Sequence, residues 1–514
     1  MSTRTWSPLQ QDIFAAVKDS VRDVIVIAGP GSGKTSTIVE ASEHVPPSRA
    51  VLFLAFNKSI ATELKDKING ECMTMHAFGF RMLRSRTKSI NVDDQKVTKL
   101  LKIAMSQYKL STIEDDEDLF TPLRKAVSAA RTIDARTLDE LRTEIDRLDL
   151  SWEDEWWPLV EDVCTQALKD TVNIDFDDML LQPLEYCSFP RCGTVFIDEV
   201  QDLNPVQLRM IAQLKAAGAL IVAVGDPYQA IYGFRGASTT SFQSLIEILP
   251  DALKLPLSIS YRCPQSVVRL AQTINPDISP FDLAPEGQTG WILEEELEAH
   301  LRGTRFKTKL ILSRTNAPAL RLCLRLIARQ IPCFIVGRDI GDGLKKYLTK
   351  ASAKKDLPVF DPPNSNEPGL LRRLTAQVAK DLDRLRKKNL KNEVMNLEDK
   401  IACVNILISS MHPAARTSDL LALVDRMFAE GKDKIRISSV HRAKGLEAEG
   451  VFLINPELIP HPKATLPWEL EQENNLHYVA ITRAQQSFLY VKSLKEDLNR
   501  SNFISIDPAS VIQP

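Results

Sequence analysis

VIVIAGPGSGKTS, Val24 to Ser36, is an apolar run that turns abruptly into glycines and then into a lysine and a hydroxyl residue. VIVIA reads as a parallel strand buried on both faces, because it is β-branched and shows no polar alternation. After it, Gly29, Gly31 and Gly33 allow the backbone to approach phosphate oxygens and turn its N–H groups toward them, at the N-terminus of the following helix. Ser32 and Ser36 belong to the same cradle, Lys34 adds a mobile positive charge for the outer phosphates, and the Thr35 hydroxyl suits a Mg²⁺ ligand. The strict form of this loop has glycine where Ala28 stands.

A second stretch, VFIDEVQD from Val195 to Asp202, supplies the carboxylates. Two adjacent acids after a buried strand resist joint ionisation unless a cation or a protic group sits beside them. Mg²⁺ and an attacking water meet that need: Asp198 is expected in the metal shell and Glu199 as the group that orients or deprotonates the water. The two stretches together predict hydrolysis of a nucleotide.

Composition narrows the rest. The 514 residues suffice for more than one domain, and 65 Lys and Arg against 67 Asp and Glu leave the net charge near zero. Any nucleic-acid contact must therefore come from local patches. Eight cysteines are spread thinly, and only Cys187 and Cys192 are near one another, so free thiols in a reducing compartment are expected and zinc is not. No secretion signal and no run of membrane-spanning length is visible, which points to the cytosol of a bacterial or phage-infected cell, or to the nucleus of a eukaryote.

Strand-like runs alternate with helical text in two sections. The first holds VIVIA, AVLFLAF at Ala50 to Phe56, TVFI at Thr194 to Ile197 and LIVAVGD at Leu220 to Asp226. The second holds KLILSRTN, PCFIVGR, KIRISSV, EGVFLI and SFLYV, between Lys309 and Val491. The spacing predicts an α/β protein of two parallel-sheet domains, each with a mainly helical insertion. The expected bounds are 1–82 with 171–250 for the first domain and 83–170 for its insertion. For the second domain they are 251–338 with 433–514, and 339–432 for a basic insertion. That basic stretch is either a solvated helical face or a surface turned toward DNA.

The motif that selects among nucleotide hydrolases is VAVGDPYQAIYGFRGA, Val222 to Ala237. Gln229 follows a strand end closely enough to sense a terminal phosphate. Tyr232, Phe234 and Arg235 follow it, and aromatics beside an arginine suit a path for unpaired bases, where stacking contributes about 1 to 3 kcal/mol per base.

From Trp6 to about Val491 the chain resembles the superfamily 1 DNA helicases of the UvrD, Rep and PcrA type, with seven motifs in order. The wording of NKSIATEL is similar to a compact branch that includes F-box-type and phage-encoded members. The resemblance implies two RecA-like domains and ATP with Mg²⁺. WSPLQ is similar to the Q motif, implying that Gln10 reads the adenine edge. AFNKSIATEL and TMHAF look like early DNA-contact motifs, which carries DNA contact to Phe56, Asn57, Lys58, Thr74, His76 and Phe78. SYRCP implies that Tyr261 stacks on the base and Arg262 touches the γ-phosphate. SSVHRAKGLE and HYVAITRAQ imply His441 on DNA, Glu447 on the ribose side and Arg483 on the γ-phosphate. An arginine delivered to the γ-phosphate from the second domain stabilises transition-state charge, and closure and release on ATP would then step two DNA grips past one another.

The chain departs from that family at three residues and in the insertion 339–432, which looks shorter than in the large family members. Ser36 stands where an adenine-sandwiching arginine is common, Phe234 where tryptophan is common, and Arg442 where a small residue is common. The expected activity is ATP-dependent translocation on single-stranded DNA, 3′ to 5′, with duplex unwinding in replication, repair or recombination. The expected partners are single-stranded DNA and single-strand/duplex junctions, with replication or recombination proteins and no membrane. A translocase that strips proteins from DNA with little unwinding, and a nucleotide-gated DNA clamp without hydrolysis, are the alternatives; intact Lys34, Glu199 and Arg483 argue against the clamp.

Overall fold

Six short runs in the first half of the chain become six parallel strands. The computed structural model describes residues 5–19, 21–87, 89–109, 116–148, 150, 152–231, 241–303, 305–361, 367–387 and 391–492. It divides into two units, 1–259 and 260–514. In the first, Val24–Ala28 (β1), Val51–Ala55 (β2), Glu71–Thr74 (β3), Thr194–Ile197 (β4), Leu220–Gly225 (β5) and Leu253–Leu257 (β6) form one sheet in the order β3-β2-β4-β5-β1-β6. Every pairing is parallel. β2, β4 and β5 are buried at every residue, as continuous apolar runs between two helical layers should be. Because the strands run the same way, the loops after β1, β4 and β5 emerge at one edge of the sheet, where α/β folds bind ligands.

The expected domain boundary at 250 falls one strand short. β6 pairs with β1 from Val24↔Leu253 to Ala28↔Leu257, so the first unit closes at Ile259. LKLPL hides its strand character because it is an edge strand: Lys254 and Pro256 sit where one side of the ladder is unpaired.

Within the first unit, a helical section between β3 and β4 has a core of its own. Helices Lys96–Gln107, Asp116–Ile133, Leu138–Leu148 and Trp157–Lys169 bury Leu101, Val127, Leu141, Trp156 and Val160 together. It is fastened to the returning chain by a buried ionic cluster. Lys96 Nζ lies 2.6 Å from Asp178 Oδ2, and the Arg131 guanidinium grips both oxygens of Asp175 at 2.6 and 2.8 Å while donating to Asp178 Oδ1 at 2.7 Å. Burial pushes Asp178 up to about 6 against the pull of Arg131. Removing one partner of such a cluster costs about 3 to 5 kcal/mol, since the others stay buried and unpaired.

The second unit repeats the architecture with Gln288–Leu293 (β7), Lys309–Ser313 (β8), Cys333–Ile335 (β9), Ile435–Ser439 (β10), Ala448–Ile454 (β11) and Ala484–Lys492 (β12). The order is β7-β12-β11-β8-β10-β9, again parallel throughout. Among the described residues its insertion differs from the first in having no separate core. Helices Arg338–Ala351, Leu370–Lys387, Lys391–Ser409 and Thr417–Phe428 contribute Leu344, Leu348, Leu374, Val404 and Val424 to the same cluster as Ile335 and Ile437 of the sheet. Among the described residues no helix is long and apolar enough to cross a membrane.

Candidate nucleotide site and nucleic-acid face

The loop after β1 is held in shape before any ligand is considered. Gly29 N donates to Leu257 O of β6 at 2.9 Å, and the buried Ser32 hydroxyl donates to Gly29 O at 2.8 Å. Gly31 and Gly33 take φ of 68° and 81°, values at which a side chain would strain the backbone. The helix Lys34–Glu43 starts there without a side-chain cap, so its first N–H groups are available to an anion. The Ser36 hydroxyl and the Thr37 hydroxyl both donate back to Gly33 O, at 3.0 and 2.9 Å. Ser32 and Ser36 thus stiffen the cradle with their hydroxyls, while Thr35 is exposed on the first turn.

β4 delivers the carboxylates to the same edge. Asp198 is buried at its end, and Glu199 sits in the left-handed region at φ 54°, strained backbone of the kind that collects at functional sites. The Glu199 amide donates to Asp198 Oδ1 at 2.9 Å. Lys34 Nζ lies 3.0 Å from Glu199 Oε1. Burial works to lower the Lys34 pKa, but Glu199, Asp198 and Asp226 outweigh it and raise the ammonium above its ordinary value. The structure therefore brings Lys34 and Glu199 together across 165 residues of sequence.

Two residues here escaped the sequence reading. Asp226, at the end of β5, is wholly buried; it accepts from Tyr228 N at 3.0 Å and from Gln229 Nε2 at 2.7 Å. Burial pushes its pKa up to about 6, against the pull of Lys34. Gln201 lies between Glu199 and Asp226, donating to Glu199 Oε2 and accepting from Asp226 N at 3.1 Å. Both were quoted within motifs, yet only burial and partners show that they are joined. Gln229 is itself buried, with its amide on Asp226.

Gln10 is 2% exposed, and both ends of its amide have protein partners. Its Nε2 donates to Thr37 Oγ1 at 2.8 Å, and its Oε1 accepts from Ser7 N at 3.0 Å and Ser7 Oγ at 3.2 Å. It braces the N-terminal helix Pro8–Asp19 against the cradle helix.

Residues read as DNA contacts divide by burial. Phe56 is half-buried; Asn57 and Lys58 are exposed, and Asn57 caps its helix by accepting from Ile60 N at 2.9 Å. Thr74 caps Met75–Arg86 by accepting from Ala77 N at 3.2 Å. His76 is half-buried, with its pKa lowered by burial. Phe78 is a correction: it is 0% exposed and lies in the core with Leu180 and Val195, so it packs the helix and offers DNA no surface. The exposed aromatic is Phe176, 60% accessible, with its ring 5.9 Å from that of His76 and inclined at 64°. The signal was the aromatic in FDDML, a segment otherwise read only as the return of the chain. Tyr232, Phe234 and Arg235 lie outside the described residues.

In the second unit, three residues from separate motifs converge. Arg262 Nε lies 2.6 Å from Glu447 Oε2, and its Nη1 donates to Thr482 O at 3.4 Å, next to Arg483. Arg483 is 1% exposed; it donates from Nε to Val479 O at 3.0 Å, from Nη1 to Leu446 O at 3.4 Å and from Nη2 to Thr482 Oγ1 at 3.2 Å. Glu447 also accepts from Gln485 Nε2 at 2.9 Å. Tyr261 is exposed, with its ring 5.2 Å from that of Phe281, which Phe281 N fixes by donating to Ser260 O at 3.0 Å. His441 opens a single 3₁₀ turn, His441–Ala443. Arg442 pairs with Asp339 and lies over Gly337, which ties that turn to the first helix of the insertion.

Comparison with known proteins places the chain in a family. Residues 9–249 match the UvrD/REP helicase N-terminal domain, and residues 370–496 match the UvrD-like helicase C-terminal domain. The chain is 24% identical to the ATP-dependent DNA helicase PcrA of Bacillus subtilis, over 95% of this chain and 82% of that protein. It is 22% identical to a probable DNA helicase II homolog of Mycoplasma capricolum, over 96% and 87%. The F-box DNA helicase protein 1 of Schizosaccharomyces pombe is 23% identical over 90% of this chain and 55% of its own length. Two sheets with their motif loops gathered at strand ends, and two domain families that together cover more than half of the sequence, make this chain a member of the UvrD/Rep/PcrA-type helicases.

Proposed function

We propose that this protein hydrolyses ATP to move 3′ to 5′ along single-stranded DNA and unwinds duplexes ahead of it, in replication, repair or recombination. The observation that carries the reading is the cradle itself, with Lys34 Nζ 3.0 Å from Glu199 Oε1 and Asp198 buried beside them. The loop after β1 takes the phosphates, Lys34 neutralises the outer oxygens, and Glu199 accepts a proton from the attacking water while Gln229 senses the terminal phosphate. Thr35 and Asp198 suit a hard cation that completes its shell with substrate oxygens. Mg²⁺ there would neutralise charge on the phosphates.

From the second unit, Arg262 and Arg483 take the γ-phosphate, Glu447 the ribose and Tyr261 the base. Arg483 is the sharper assignment to test, because its guanidinium is spent on its own unit's backbone and must exchange those bonds for phosphate oxygens. Asn57, Lys58, Thr74, His76, Phe176 and His441 supply the DNA contacts, with aromatic stacking as the sequence-tolerant part.

The test is ATP hydrolysis with and without single-stranded DNA or RNA, run beside Lys34→Ala and Glu199→Gln. DNA should stimulate the native enzyme, and both substitutions should abolish turnover while sparing DNA binding. Substantial hydrolysis in both variants refutes the site, and absence of stimulation refutes the motor. Displacement of strands only from 5′-tailed duplexes would overturn the polarity.

A further inference from the structure

We propose that Gln201 is a positioning residue for hydrolysis, whose buried amide locks the Glu199 carboxylate to the Asp226–Gln229 turn; this rests on the assignment of Glu199 above. Gln201 is 1% exposed and uses both ends of its amide. Its Nε2 donates to Glu199 Oε2, and its Oε1 accepts from Asp226 N at 3.1 Å. Glu199 Oε1 meanwhile faces Lys34 Nζ at 3.0 Å. The two oxygens of one carboxylate are thus held by donors from two different elements, which fixes the plane of the group as well as its position. Beyond Gln201 the connection continues through Asp226, whose Oδ2 accepts from Gln229 Nε2 at 2.7 Å.

The backbone is shaped for that amide. A Cβ at Gly225 would lie 2.5 Å from Gln201 Oε1 and 2.7 Å from Val200 Cγ2, so the end of β5 is reduced to bare backbone where the side chain passes. A glutamine amide offers a donor to the carboxylate and an acceptor to the N–H group from the two ends of one side chain. An ionised glutamate lacks the donor, and a methionine of similar size lacks both. Loss of the lock should therefore leave ATP bound and misdirect the group that handles the water.

The experiment is a double-variant cycle on steady-state ATP hydrolysis by the full chain with saturating single-stranded DNA. Gln201→Met should lower kcat by about 10- to 100-fold and leave KM for ATP within about twofold, the split expected for a group that acts on the chemical step. Glu199→Gln should leave only trace turnover. The double variant should be no slower than Glu199→Gln alone, because Gln201 acts through Glu199. A further loss in the double variant, as large as that in Gln201→Met alone, would show an independent packing role and overturn the proposal. Native kcat in Gln201→Met would overturn it as well, while the site assignment stands if Glu199→Gln is inactive. Near-native turnover in Glu199→Gln overturns the assignment of Glu199 and the proposal with it. Should Gln201→Met fail to fold, Gln201→Asn runs the same cycle, since it keeps a neutral amide at the site but is one methylene too short to span Glu199 and Asp226 together.

Discussion

Asp226→Asn should stabilise the first unit while it slows hydrolysis. Asp226 is fully buried, and burial lifts its pKa from an ordinary 3.8 to about 6 despite the pull of Lys34 and the bonds from Gln229 and Tyr228. A carboxyl with a raised folded-state pKa is a liability once it ionises. Below about pH 4 it is neutral in both folded and unfolded chains and costs nothing. Between about pH 4 and 6 the unfolded chain has released the proton and the folded chain has not, so native stability falls as pH rises. Above that window the penalty is constant at about 3 kcal/mol, from 1.36 kcal/mol per pH unit. Asparagine has nearly the same shape, and its amide can still pair with Gln229 and Tyr228 if the Gln229 amide turns over. The variant should therefore gain up to about 3 kcal/mol at pH 7, or about 6 to 12 °C in the unfolding midpoint of a unit this size. The assay is thermal unfolding followed at pH 4, 5, 6 and 7.5 without nucleotide. The gain should vanish at the lowest pH and level off above 6, and kcat should fall because the Lys34 side of the site loses a negative neighbour and Gln229 presents its other edge. A variant that is less stable at pH 7.5, or whose advantage does not change with pH, refutes the account.

The two aromatics at and beside the helix Met75–Arg86 should separate cleanly. Phe176→Ala should weaken single-stranded DNA binding by about 1 to 3 kcal/mol, read by fluorescence anisotropy, with little change in the unfolding midpoint. Phe78→Ala should cost about 3 to 5 kcal/mol of stability by leaving a cavity in the core; DNA affinity lost in proportion to Phe176→Ala at unchanged stability would restore Phe78 as a contact. On the second unit, Phe281→Ala should raise KM for ATP and leave kcat near native, because Tyr261 loses the ring that limits its orientation, and Phe281→Tyr should restore it. An unchanged KM would remove Phe281 from base recognition.

Much of this was legible in the chain. Continuous apolar runs such as VIVIA and LIVAVG announce parallel strands, because burial on both faces removes the need for alternation. Glycines followed by lysine and threonine announce the cradle, because only that backbone can approach phosphate closely. What escaped was of two kinds. LKLPL on the sheet edge carries a lysine and a proline, which conceals a strand that pairs across more than two hundred residues and moves the domain boundary. The second insertion reads as polar and basic, yet its apolar residues join the core of the sheet, which no local pattern discloses.

The sequence by itself determined the class of fold, and it marked the glycine loop and the adjacent carboxylates as candidates, since each reading follows from local chemistry within a dozen residues. Tertiary structure alone decided which of those groups meet and which are spent on support. Phe78 and Phe176 are both aromatic in the sequence, and only packing sends one to the core and the other to solvent. Gln201 and Asp226 become parts of one network only because β4 and β5 lie side by side in register, a non-local pairing that places their following turns within hydrogen-bonding distance.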